Sequence, residues 1–322
     1  MKLWKGNPRI LDDLKETEKY IHKALKTRQP TLSKAIEELL EAGGKRLRPA
    51  LVLLSGGFGD YDKDRLMPLA AGIEILHMAT LVHDDIIDDA DIRRGEPTVQ
   101  AKWGKDMAVF TGDFLLTRAF SLITQNVEFD NMHKLSNVMK AICEGEIDQY
   151  GSRYDLNTSV KAYLKRIGRK TALLFSLSCR VGADESRCSP KVVWNLWHFG
   201  KNLGMAFQIV DDLLDFSGDV QMVGKPLLVD FASGVFTLPI IYTANIPEYR
   251  IKFQKIIDKG EFTYEELAKI KGWTDESGGT EYANRLAQRY IYRAMKNLEQ
   301  LPATGPRDSL RNLTEELQER QY

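Results

Sequence analysis

Two stretches of this sequence set a triplet of aspartates at the same spacing within apolar helical sequence, and few folds accommodate that. Leu81-Val82-His83-Asp84-Asp85-Ile86-Ile87-Asp88-Asp89 and Phe207-Gln208-Ile209-Val210-Asp211-Asp212-Leu213-Leu214-Asp215 both contain D-D-x-x-D. On a helix, residues i and i+4 share a face, so Asp84 projects with Asp88 and Asp211 with Asp215. Like charges at that spacing destabilise a helix, and carboxylates among apolar side chains cost more still unless something neutralises them. A divalent cation does so. All-oxygen ligation favours Mg²⁺, which keeps several waters and bridges carboxylates to phosphate oxygens. Zinc needs His or Cys at ligand spacing, which neither cluster supplies, and the neighbouring His83 reads as structural. One such cluster could be a solvated helix end; two copies, each preceded by apolar turns, point to a metal site.

The remaining sequence is helical in its spacing. Apolar periodicity predicts helices over 11–25, 32–40, 49–54, 65–89, 98–126, 130–151, 159–182, 190–217, 234–245, 262–271, 277–299 and 306–320. Gly43-Gly44 stops the second, and Pro49 suits the first turn of the third. Strand alternation and Gly-rich strand-to-helix loops are missing. Segments 182–190 and 219–234 read as loops, and no low-complexity linker divides the chain. These features predict one all-α domain over residues 1–322.

Forty-five Lys and Arg balance 45 Asp and Glu, which argues against a general nucleic-acid binder. Cys143, Cys179 and Cys188 form neither an even framework nor C-x-x-C, so disulfide scaffolding and structural zinc are not expected. No uninterrupted apolar run reaches membrane-spanning length, and MKLWKGNPRILDDLKE turns acidic too soon for a signal peptide. The expected location is cytoplasmic.

Basic turns complement the acidic clusters. Gly43-Gly44-Lys45-Arg46-Leu47-Arg48-Pro49 places three cations and two glycines before a helix, a natural diphosphate site. Arg93-Arg94-Gly95 follows the first acidic cluster, Gly168-Arg169-Lys170-Thr171 opens an apolar helix, and Gly224-Lys225-Pro226 follows the second cluster. Each alone is an ordinary solvated turn; together with the aspartates they describe a cavity for Mg²⁺ and phosphate.

In order, GGKRLRP, EILHMATLVHDDIIDDADIRRGEPT, GRKTALLF, GMAFQIVDDLLDF and GKP…TLP resemble the trans-isoprenyl diphosphate synthases, from about residue 40 to 240. Within that family, VLLSGGFGDYD, AKW…TGDFLL and the C-terminal length look like the catalytic large subunits (component II) of bacterial heptaprenyl diphosphate synthases. The resemblance implies an orthogonal bundle of antiparallel helices around a deep apolar cavity. It implies that Asp84, Asp85, Asp88, Asp211, Asp212 and Asp215 hold Mg²⁺, three ions per active site, against an allylic diphosphate. Arg93, Lys170 and Lys225 would contact that diphosphate, and Lys45, Arg48, His77 and Arg94 that of isopentenyl diphosphate. Thr171 and Gln208 would stabilise the developing carbocation. His77 lies seven residues before Asp84, two turns away on the same face.

Two departures stand out. After GKP the family has a small residue, Gly, a variable residue and Asp-Leu, whereas this chain has Leu227-Leu228-Val229-Asp230-Phe231. The C-terminal Glu319-Arg320-Gln321-Tyr322 lacks the usual Lys-Arg pair.

The activity so implied is Mg²⁺-dependent condensation of isopentenyl diphosphate onto farnesyl or geranylgeranyl diphosphate. The diphosphate departs, the double bond attacks the allylic cation, and a proton is lost while water is excluded. Thr80 and Ala79, four and five residues before Asp84, lie about one turn deeper, with Ile75 and Leu76 beyond. In the family, aromatics there stop growth early; small residues here imply hexa- to octaprenyl products, heptaprenyl favoured, for quinone side chains such as that of menaquinone. If Ala79 and Thr80 instead pack against a neighbouring helix, Phe110 or Phe114 sets the floor. The subgroup implies a homodimer, or a heterodimer with a small non-catalytic subunit (component I). Alternatives are a geranylgeranyl synthase, a class I terpene cyclase, whose second metal motif would mix Asn, Ser/Thr and Glu, and a non-catalytic binding subunit.

Overall fold

Capping chemistry accounts for many helix starts. The Asp62 carboxylate accepts from the backbone N–H groups of Asp64 and Arg65, Ser159 accepts from Ala162, and Thr263 forms a capping box with Glu266. Pro30 and Pro247 occupy first turns, where a missing N–H costs nothing. The computed structural model describes residues 8–93, 95–127, 129–217, 228–260 and 262–319. Its helices begin with α1 (Pro8–Ala24), α2 (Pro30–Glu41), α3 (Leu47–Gly56), α4 (Lys63–Ile87), α5 (Val99–Trp103), α6 (Lys105–Thr124) and α7 (Phe129–Gly151). They continue with α8 (Val160–Ile167), a π-helical turn (Gly168–Ala172), α9 (Leu173–Glu185), α10 (Pro190–Ser217) and α11 (Val229–Ala232). The last are α12 (Leu238–Ala244), α13 (Pro247–Ile257), α14 (Tyr264–Glu276), α15 (Gly279–Glu299) and α16 (Gly305–Glu319).

The all-α expectation holds, with local differences. Among the described residues the only strands are β1 (Ile92–Arg93) and β2 (Glu96–Pro97), paired antiparallel with Arg93 opposite Glu96. The helix expected over 98–126 is broken at Gly104, whose φ of +86° suits glycine. Helix α13 was not foreseen, because only Phe253 and Ile256 along it are buried and they make too sparse a periodic signal.

The described residues fall into two compact units. The first lies within Met1–Lys134, Ser178–Leu196 and Leu301–Leu310; the second lies within Leu135–Leu177, Trp197–Gln300 and Arg311–Tyr322. In the first, α4 is buried on every side from Leu66 to Leu76, and α3 is nearly so. Burying each such Leu or Ile contributes roughly 1.5–3 kcal/mol. Helix α6 approaches α4 closely at Gly112, where a Cβ would meet Nε2 of His83 at 2.3 Å. The second unit closes around aromatic residues, with Phe231 5.1 Å from Phe236 and edge-on to Phe253 at 6.0 Å between ring centroids.

Helices α4 and α6 are, by length and composition, apolar enough to cross a membrane, which uninterrupted run length did not predict. Burial of 78% of the most apolar stretch of α4 marks it as a core helix; the figure for α6 is 39%.

Candidate active site

Burial divides the C-terminal half of α4 into two faces. From His77 onward an accessible stripe opens that carries His77, Thr80, Leu81, Asp84 and Asp88, while Met78, Ala79, Val82 and Asp85 remain buried. Asp84 is half-buried and Asp88 exposed, whereas Asp85 is only 4% exposed. Arg93 Nε donates to Asp85 Oδ1 at 2.7 Å. The hairpin that carries Arg93 is fastened at its base: Thr98 Oγ1 and Gln100 Nε2 both donate to Ala90 O, at 2.7 and 3.0 Å. Ala90 N–H in turn donates to Asp85 O at 2.9 Å. Burial pushes the Asp85 carboxyl above the usual carboxylate range, Arg93 opposes that rise, and Asp84 and Asp88 add to it.

The same unit holds the basic turn before α3, where Lys45 is exposed and Arg48 half-buried. His77 is half-buried on the α4 stripe, as its spacing predicted. His83 packs on Gly112, 3.4 Å from Asp113 Oδ1, in agreement with a structural role. Arg94 lies outside the described residues.

In the second unit, Gln208, Asp211 and Asp215 are accessible on α10, and Asp212 is buried at 5% exposure. Tyr163 Oη donates to Asp212 Oδ2 at 2.6 Å and Gln208 Nε2 to Oδ1 at 2.8 Å. Thr171 Oγ1 donates to Gln208 Oε1 at 2.7 Å, completing a Thr171–Gln208–Asp212–Tyr163 chain. Burial pushes the Asp212 carboxyl up to about 6, although Tyr163 and Gln208 both stabilise its charge. Beneath it the Arg166 guanidinium lies 5.5 Å from the Tyr163 ring centroid and donates to Phe236 O at 2.6 Å.

The π-helical turn carries Lys170 and Thr171, a departure from α-helical winding that recurs at functional sites. Glu146 holds Lys170 Nζ at 3.0 Å, and Glu144 and Asp148 each hold Arg169 at 3.0 Å. Lys225 and Leu227 lie outside the described residues. Leu228, at the position where the family has glycine, adopts the left-handed conformation (φ 52°, ψ 48°) that glycine favours, at a cost of roughly 1 kcal/mol. The next residue, Val229, donates its N–H to Asp215 Oδ1 at 3.3 Å.

Among the described residues, no three His, Cys, Asp or Glu side chains converge closely enough to cage an ion. The outer aspartates of each triplet offer carboxylate oxygens alone, a donor type that suits Mg²⁺, which binds through one or two carboxylates and fills its shell with water and phosphate oxygens. Asp84 with Asp88 and Asp211 with Asp215 are the accessible carboxylate pairs, and Asp85 and Asp212 are buried beside them. Tyr163, Arg166 and Glu146 escaped the sequence reading. Tyr163 is simply one apolar position of VKAYLKRI at helical spacing, and nothing local marks its hydroxyl as a partner for an aspartate 49 residues away.

A family model described as polyprenyl synthetase matches residues 29–272. The chain is 38% identical over 311 residues to heptaprenyl diphosphate synthase component 2 of Bacillus subtilis (strain 168), covering 97% of this chain and 89% of the relative. A solved geranylgeranyl pyrophosphate synthase from Lactobacillus brevis superposes with a TM-score of 0.92 at 33% identity, covering 98% of this chain and 99% of that one. The polyprenyl synthase of Caulobacter crescentus, solved with calcium and isoprenyl diphosphate, gives 0.89 at 31% identity, over 97% of this chain and 95% of that one.

Proposed function

The chain belongs to the polyprenyl synthetase family and is a trans-prenyl diphosphate synthase, and on that premise we propose that it extends farnesyl or geranylgeranyl diphosphate to a hexa- to octaprenyl product, heptaprenyl favoured, for a quinone side chain. The observation that carries this reading is the accessible stripe of α4, which aligns His77, Thr80, Asp84 and Asp88 on one helix face. A group for the diphosphate of isopentenyl diphosphate, a position beside the growing tail and a pair of metal-binding carboxylates thereby follow one another along a single rigid element.

Asp84, Asp88, Asp211 and Asp215 would hold Mg²⁺, with Asp85 and Asp212 completing the two triplets. When bound, Mg²⁺ neutralises the allylic diphosphate and draws charge from the breaking C–O bond. Arg93, Lys170 and Lys225 bind the same diphosphate and stabilise it as it departs. Thr171 donates its hydroxyl hydrogen bond to Gln208 Oε1, which leaves its oxygen lone pairs as acceptors, the polarity that a developing allylic cation needs. Lys45, Arg48, His77 and Arg94 hold isopentenyl diphosphate so that its double bond attacks the cation. The released diphosphate takes the proton.

Thr80 and Ala79 set product length. Thr80 lies on the accessible stripe and donates Oγ1 to His77 O at 2.8 Å; Ala79 is 1% exposed. The small Thr80 side chain on that stripe leaves room for a tail longer than geranylgeranyl, and the small Ala79, buried beside it, adds no bulk. The protein works in the cytoplasm as one catalytic domain, either as a homodimer or with a small second subunit. The name "component 2" carried by the Bacillus relative supports the second arrangement. Diphosphate release tests the reaction: we expect release only when farnesyl diphosphate, isopentenyl diphosphate and Mg²⁺ are all present. Release from farnesyl diphosphate alone would instead indicate cyclisation or hydrolysis.

A further inference from the structure

Between Lys45 and Arg48 stands a residue that the reaction does not use. Arg46 is buried, and its backbone is left-handed (φ 50°, ψ 41°) at the N-cap of α3. A non-glycine residue held there costs roughly 1–2 kcal/mol, so surrounding contacts must impose it. Its guanidinium supplies those contacts. Nε and Nη2 donate to Glu18 Oε1 on α1 at 3.1 and 2.6 Å, and Nη1 donates to Glu74 Oε1 on α4 at 3.0 Å. Glu74 is the one carboxylate in the otherwise uncharged buried run from Leu66 to Leu76 of α4.

As a folding device the cluster is poor. Burying a guanidinium and a carboxylate costs several kcal/mol per ion, and an apolar trio of equal volume would stabilise the core as well or better. Its geometry is what an apolar trio could not supply. The planar guanidinium fixes direction as well as distance, and it joins the Lys45–Arg48 turn to α4 one helical turn before His77. Three groups from two separate elements are thereby referred to one buried point.

We propose that the Arg46–Glu18–Glu74 cluster is a positioning device for isopentenyl diphosphate, setting Lys45 and Arg48 in register with His77. This rests on the assignment of those three residues to that substrate. Arg46 is a positioning residue and touches no reactant. Its loss should weaken one substrate and spare the other, because Arg93 and Lys170, both assigned to the allylic diphosphate, lie on other elements.

The test compares wild type with Arg46→Met, Arg46→Lys and Glu18→Gln. It reads Tm, the KM of each substrate, and calorimetric binding of isopentenyl diphosphate itself. We expect both Arg46 variants to raise the KM and Kd for isopentenyl diphosphate about tenfold or more, a modest misplacement penalty, with the allylic KM within about twofold. That split should appear whether Tm rises or falls. Glu18→Gln, which leaves Arg46 paired with Glu74, should give the same split at about threefold, and it serves if Arg46→Met does not fold. Equal increases in both KM values, or an unchanged isopentenyl KM in a folded variant, would overturn the proposal. Failure of wild type to bind isopentenyl diphosphate at all would overturn the assignment of Lys45, Arg48 and His77, and this inference with it.

Discussion

The triplet on α4 and the triplet on α10 share one sequence pattern and sit on different supports. In both, burial separates the middle aspartate from the outer two. Asp85 is neutralised by a full charge, Arg93, carried on a hairpin that is itself partly exposed. Asp212 is held by two neutral donors, Tyr163, which is fully buried where Arg93 is not, and Gln208, which is half-buried. A partly exposed ion pair contributes about 0–1 kcal/mol, while removing a donor from a buried carboxylate costs roughly 1–3 kcal/mol. The pattern D-D-x-x-D therefore specifies the accessible pair alike in both places and leaves the anchoring of the middle residue to whatever packs beneath it.

If the outer residues are equivalent, Asp84→Ala and Asp211→Ala should each lower turnover by about three orders of magnitude or more, because metal affinity and charge stabilisation are lost together. Near-normal kcat in either purified variant would break the equivalence. The supports should then part company. Arg93→Ala is expected to reduce kcat/KM about tenfold or more while changing stability by less than about 1 kcal/mol. Tyr163→Phe should reverse that emphasis, lowering unfolding free energy by roughly 1–3 kcal/mol in denaturant titrations. Equal stability losses in the two variants would show that the anchors are not different in kind.

Further along the α4 stripe, Thr80→Phe should shorten the product to about three or four isoprene units without abolishing condensation, read by mass. Ala79→Phe is expected to shorten it too, but at a cost of about 1–3 kcal/mol from overpacking. Wild-type product length in both variants would move the floor elsewhere. The candidates there are Phe110, 63% exposed, and Phe114, half-buried. The smallest effect contrasts two thiols in the same way. Cys143 is exposed and should alkylate in the folded protein at mildly alkaline pH. Cys179, whose thiol burial pushes up to about 12, should stay unmodified until denaturation.

Much of this was legible in the sequence, for identifiable reasons. Helical periodicity marks α4 and α10 because both are long, and i,i+4 geometry alone pairs Asp84 with Asp88 and places His77 in line. The break at Gly104 and the π-helical turn at 168–172 were not legible, because each alters winding without disturbing the apolar pattern on either side. The supports were hidden for a different reason. Arg46–Glu74 and Tyr163–Asp212 join residues 28 and 49 positions apart, and no local spacing rule reaches that far. Leu228 shows the converse: the sequence lacks the expected glycine, yet the backbone keeps the left-handed turn.

The most direct test is the mass of the product made by the purified chain, with its small partner if one is required. The assay uses farnesyl diphosphate, labelled isopentenyl diphosphate and Mg²⁺. The account predicts a labelled, linear, all-trans product of about six to eight isoprene units that disappears when Mg²⁺ is chelated. An unlabelled cyclic hydrocarbon formed from farnesyl diphosphate alone, or a labelled product that stops at four units, would contradict it.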